Sequence, residues 1–146
     1  MITRIPLQIL DIGGEGYHLM IKMLINGKVA QVIVDTGASK TVFDKTAIQK
    51  FVKHKKFDKH EHLSSGLGTN TMTSQTTNLK KIKIGDVVIE NYTTVLLDLS
   101  HVNNSYAQIG LNPVHGVLGS DILLKYGAII DYEKKILKLK YKKIKK

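Results

Sequence analysis

Short apolar runs, several of them alternating with polar residues, dominate this chain and predict strands. Tyr17 to Ile25 and Lys28 to Asp35 are two such runs, separated by Asn26-Gly27. Asn-Gly between strand-like segments is a strong hairpin signal, because both turn residues tolerate positive φ. Lys81 to Ile84 and Val87 to Asp98 repeat the pattern around Gly85-Asp86. Further on, Ala128-Ile129-Ile130-Asp131-Tyr132 and Ile136 to Tyr141 flank a turn at Glu133-Lys134-Lys135. In the last run Leu137, Leu139 and Tyr141 alternate with Lys138 and Lys140, the mark of a strand with one wet face.

Helical spacing is confined to two places. In Lys45 to Val52, the residues Ile48, Phe51 and Val52 share a face, and Asp44 is placed to cap it. Ser120 and Asp121 suit a helix start, and Gly127 suits its end. Lys53 to His62 and Ser100 to Pro113 read as loops. No repeat or linker divides the sequence, so residues 1–146 are expected to form one domain, with a basic tail from about residue 142.

The hairpin delivers Asp35-Thr36-Gly37-Ala38-Ser39 at the end of the apolar run Val32-Ile33-Val34. A carboxylate there suits hydrolysis by activated water. Amide hydrolysis needs one group to take a proton from water and another to give one to the substrate. Two carboxyls about 3 Å apart do both, because like charges that close cannot both ionise easily. Asp35 supplies one. Thr36 can brace the loop through its hydroxyl, Gly37 permits a sharp turn, and Ser39 can bond nearby backbone. Such a triplet also occurs in ordinary turns; the preceding apolar strand favours the catalytic reading.

A second pattern lies downstream: Gly116-Val117-Leu118-Gly119-Ser120-Asp121-Ile122-Leu123. Together with Val32-Ile33-Val34-Asp35-Thr36-Gly37-Ala38-Ser39, in this order and separation, it resembles the retropepsin-like aspartic proteases, especially small cellular and bacterial members. The resemblance runs from about Gly16 to Tyr141. It implies an all-β fold, a closed β-barrel with one or two short helices and one lobe per chain. It implies that Asp35 is catalytic and that Val117, Leu118 and Gly119 thread behind its loop. It also implies a flap over the substrate at Gly66, Leu67 and Gly68, whose glycines and Thr-rich neighbours suit a mobile hairpin. The active unit would be a homodimer acting on a peptide or protein, with no cofactor and no metal. No second Asp-Thr-Gly or Asp-Ser-Gly exists in the chain, so the second aspartate must come from another copy.

The sequence departs from retroviral members at two linked positions. Those usually carry Asp after the Ala of the first motif and Arg after the Gly of the second, forming an ion bridge. Here both are serine, Ser39 and Ser120. Losing both charges leaves no unpaired partner.

Composition narrows the alternatives. There are no cysteines, which excludes thiol chemistry and disulfides and suits a reducing compartment; a cytoplasmic location is the expectation. Met1 to Pro6 lacks a signal-peptide core, and no apolar run approaches the roughly 20 residues needed to span a membrane. The net charge of +10 concentrates in Lys45 to Lys59 and in Lys134 to Lys146, read as solvated surface. Without aromatic-rich basic clusters, no specific nucleic-acid partner is expected. His54, His60 and His62 lack a carboxylate shell for zinc. His115 and the carboxylates Asp121 and Asp131 read as structural. Two rival functions remain: a catalytically inactive peptide-binding or dimerisation module of the same fold, and a basic nucleic-acid-binding domain.

Overall fold

The Asn26-Gly27 turn sets the first hairpin. Both residues have positive φ, +50° and +83°, the conformation a two-residue turn needs to match strand twist. In the computed structural model, which describes residues 1–53, 58–59 and 75–142, this turn joins β3 (Tyr17–Ile25) to β4 (Lys28–Val34). Two strands precede them, β1 (Ile2–Pro6) and β2 (Gln8–Asp11). After them come β5 (Val42–Asp44), β6 (Asp58–Lys59), β7 (Gln75–Ile84) and β8 (Val87–Leu97). Helix α1 (Ser100–Gln108), β9 (Gly116–Leu118), α2 (Ser120–Lys125), β10 (Ile129–Asp131) and β11 (Ile136–Lys140) complete the order.

Six strands close a barrel in the order β3-β4-β9-β5-β8-β7, sealed where Leu24 and Ile25 of β3 meet Lys83 and Ile82 of β7. β2 and β6 extend it at β3 and β7. The alternation of β4 decides what points inward: Ala30, Val32 and Val34 are buried, whereas Ile33 is half-buried and Asp35 exposed. Phe43, Leu79, Ile82, Ile84 and Leu118 fill the interior with those residues. A second sheet, β1-β11-β10, packs Ile5, Leu137 and Leu139 into the same core. Among the described residues, no helix is long and apolar enough to cross a membrane.

β9 is the strand that fixes the site. It lies between β4 and β5, parallel to the first and antiparallel to the second. The link from β4 to β5 must therefore cross over β9. Gly116 makes this possible: a Cβ there would stand 2.5 Å from the Phe43 ring and 2.6 Å from the Val42 carbonyl.

Two local expectations are corrected. Ser100 to Pro113 is not all loop, because α1 forms within it. Nothing in the helix's first turn is acidic, and few of its residues are apolar. Docking stabilises it instead: Tyr106 is 2% exposed and packs with Met20 and Val114. Lys45 to Val52, conversely, yields only a four-residue 3-10 turn, Ala47–Lys50. Thr46 takes the N-cap position of that turn, while Asp44, two residues earlier, accepts the Ala47 N–H at 2.9 Å and also the Leu99 N–H.

Gly116→Ala should cost about 1–3 kcal/mol, as overpacking at a site without room does. Urea unfolding measures it; an unchanged midpoint would mean β9 is not so tightly enclosed.

Candidate functional site

Asp35 follows the last residue of β4, and its backbone N–H still donates to Leu118 of β9, at 3.0 Å. The chain then turns sharply. The Gly37 N–H donates to Asp35 Oδ1 at 2.9 Å, and the Ala38 N–H to the Asp35 carbonyl at 3.2 Å. The first bond orients the carboxylate and the second closes the turn, while Asp35, Thr36 and Gly37 remain exposed. A carboxylate so held can accept a proton from water, but among the described residues a single chain presents one such group.

The loop is clamped at its far end. Gly119 meets it so closely that a Cβ there would lie 2.7 Å from the Lys40 carbonyl group and 2.8 Å from that of Ala38. The Ser120 N–H donates to the Ala38 carbonyl at 2.7 Å. Thr41, buried, accepts the Gly119 N–H on Oγ1 at 2.9 Å. The same hydroxyl donates to Asp121 Oδ1 at 2.8 Å, as the Thr41 N–H does at 2.9 Å. Tyr92 of β8 donates its hydroxyl to Asp121 Oδ2. Burial, reinforced by this carboxylate, pushes the Tyr92 phenol well above its usual range.

The structure thus brings together Asp35, Thr36, Gly37, Ala38 and Ser39 with Val117, Leu118 and Gly119. The flap expected at Gly66, Leu67 and Gly68 lies outside the described residues, as do His54, His60 and His62. Asp121 has a role that its place at a helix start did not announce. Gly119 takes the N-cap position, so Ser120 is the first helical residue and not the cap, and Asp121 is the second. The only sequence signal for the Asp121 network was a carboxylate two residues after the second motif's glycine. Nothing local marks Thr41 or Tyr92 as its partners.

His115 is structural. Its Nδ1 accepts the Gln31 N–H at 2.9 Å, and its own N–H donates to the Gln31 carbonyl at 2.8 Å, which extends the β4–β9 contact by one residue. Its ring meets Phe51 edge-on, with centroids 5.4 Å apart. Burial lowers its pKa, Lys50 lowers it further, and Asp44 opposes them.

Beside Thr36 is a hollow of about 270 Å³ lined by Leu123, Leu124, Gly127, Ala128 and Ile130. Leu124 at its rim is 84% exposed.

A family model for aspartyl proteases matches residues 21–122. Among solved structures, a retropepsin-like aspartic protease from Rickettsia conorii aligns with a TM-score of 0.58 and 22% identity, covering 97% of this chain and 91% of that one. The retroviral protease-like domain of Ddi1 from Leishmania major gives 0.57 and 14%, covering 84% and 87%. The EIAV protease, complexed with the inhibitor HBY-793, gives 0.57 and 22%, covering 84% and 99%. At these identities the likeness is one of fold, and that fold is the retropepsin barrel. Comparison with curated proteins gives no match.

Because the folded pKa of His115 is depressed, its stabilising effect is present above the ordinary histidine value and lost as pH falls through the folded one. Stability should therefore drop on acidification from neutrality, and His115→Asn should remove that part of the slope. Urea unfolding across this range is the check; identical slopes would contradict the assignment.

Proposed function

The chain belongs to the aspartyl protease family, and we propose that it is a homodimeric endopeptidase whose water is activated by Asp35 from two identical chains. In this reading residues 1–146 act as one retropepsin-like domain. One carboxylate takes a proton from water while the other, protonated, gives its proton to the scissile carbonyl. Water attack gives a tetrahedral diol. The pair then returns a proton to the departing amine, and the peptide bond breaks. The substrate lies extended, so its backbone can pair with strand edges while its side chains fill pockets.

One observation carries this reading. The sole Asp-Thr-Gly sits on a rigidly pinned loop with its carboxylate exposed, ready to meet a second copy. The surroundings agree with a partner there. Thr36 adjoins an apolar hollow, and Leu124 stands exposed at its edge. Covering the hollow and Leu124 in a dimer would remove apolar surface from water and so contribute to association.

Asp35→Asn keeps the side-chain size and loses the base. The variant should fold with unchanged or higher stability and cleave peptides at least about a hundredfold more slowly. Wild-type cleavage that survives this change would refute the proposal. A protein that binds peptide through the same loop but never cleaves it would be the inactive binding module instead. Activity per chain should also fall on dilution as dimers dissociate. Sedimentation run beside the assay checks this, and constant specific activity in a demonstrably monomeric sample would contradict it.

A further inference from the structure

We propose that Tyr92 and Asp121 are positioning residues for Asp35, acting through Thr41. The proposal rests on the protease reading for its catalytic consequence, but its structural half stands on the hydrogen bonds alone. The loop that carries Asp35 is seven residues long, from the end of β4 to Thr41, and it is fixed at both ends. Its near end is pinned by β9, through the Asp35 N–H. At its far end the Ser120 N–H holds the Ala38 carbonyl, and the remaining bonds converge on Thr41. Thr41 links the end of β9, through the N–H of the following Gly119, to α2 through Asp121 and to β8 through the Thr94 hydroxyl, which donates to the Thr41 carbonyl at 3.1 Å.

Asp121 makes this linkage rigid. Its two oxygens receive three donors, the Thr41 N–H and hydroxyl on Oδ1 and the Tyr92 hydroxyl on Oδ2. A half-buried carboxylate needs such donors, since charge away from water is costly unless hydrogen-bonded. Tyr92 thereby ties the loop to the middle of the barrel wall, where its backbone partner is Leu79 of β7. A loop loosened at Thr41 would still carry Asp35 but would hold its carboxylate less precisely. Small misplacements of a catalytic group cost rate out of proportion to their effect on stability.

The test uses four variants of the full chain. Tyr92→Phe removes one donor without changing shape. Asp121→Asn keeps an acceptor for Thr41 but turns an amide toward Tyr92. Thr41→Val removes the hydroxyl, and Thr41→Ser retains it. Two readouts are taken together: kcat and KM on a peptide substrate, and amide hydrogen exchange at Ser120 and Asp35, with β3 amides as the control. Tyr92→Phe and Thr41→Val should speed exchange at Ser120 by about tenfold, the scale of one lost charge-assisted bond. They should lower kcat by a similar factor with KM nearly unchanged, while β3 keeps its protection. Asp121→Asn, which still accepts from Thr41 and can donate its amide to the Tyr92 hydroxyl, should give a smaller effect in the same direction, and Thr41→Ser should resemble the wild type.

If Ser120 exchange and kcat are untouched in Tyr92→Phe and Thr41→Val, the clamp is refuted and the protease reading stands. If β3 exchange rises in step with Ser120, the residues serve global stability only, and the positioning role falls. If the wild type cleaves nothing but Ser120 exchange responds as expected, the clamp holds the loop and the protease reading is what fails.

Discussion

The insertion of β9 between β4 and β5 is the constraint on which the rest depends. It forces the chain from Asp35 to Thr41 to arch over a strand already hydrogen-bonded on both sides. An arch over a fixed strand has few conformations. Bonds from Gly37 and Ala38 to Asp35 select one, and the approach of Gly119 excludes bulk beneath it. The exposed position of Asp35 is therefore a consequence of barrel topology, and it costs little local strain: no residue from Asp35 to Thr41 has positive φ.

The same constraint explains how distant segments serve one loop. β9 arrives more than 70 residues after β4 in sequence, yet the three residues that follow it, Gly119, Ser120 and Asp121, supply contacts to the loop. α1 sits just before it and packs against the outer face of β3 and β4, where Met20 and Ile33 lie. Asn103 of α1 bonds both backbone groups of Val114, at 2.8 and 3.1 Å, and so fixes the entry to β9. Anchoring on both sides of β9 keeps the crossing in register.

Much of the fold was legible because its signals are local. Asn26-Gly27 with flanking apolar runs gave β3 and β4 to within a residue, and Gly85-Asp86 located the β7–β8 turn. The two glycine-bearing motifs implied the barrel only through their resemblance to a known family. Their physical reason, a crossing too tight for a Cβ, appears once β4, β5 and β9 are adjacent. α1 was not legible, since its sequence is polar and its stability comes from burying Tyr106. Nor was the Thr41–Asp121–Tyr92 network: its members lie 29 to 80 residues apart, and each has an ordinary local explanation. Sequence patterns report what a residue does to its own backbone more readily than what it does to a remote one.

The central claim is that one catalytic site is shared by two chains, and a covalently tethered pair tests it most directly. Two copies joined by a flexible linker would be assayed as wild type with wild type, wild type with Asp35→Asn, and Asp35→Asn in both. Tethering removes exchange between partners, so the mixed species is pure. A dyad on the two-fold axis predicts that the mixed pair falls close to the doubly substituted one. A mixed pair that keeps half of the wild-type rate would contradict it, because each chain would then hold a complete site of its own.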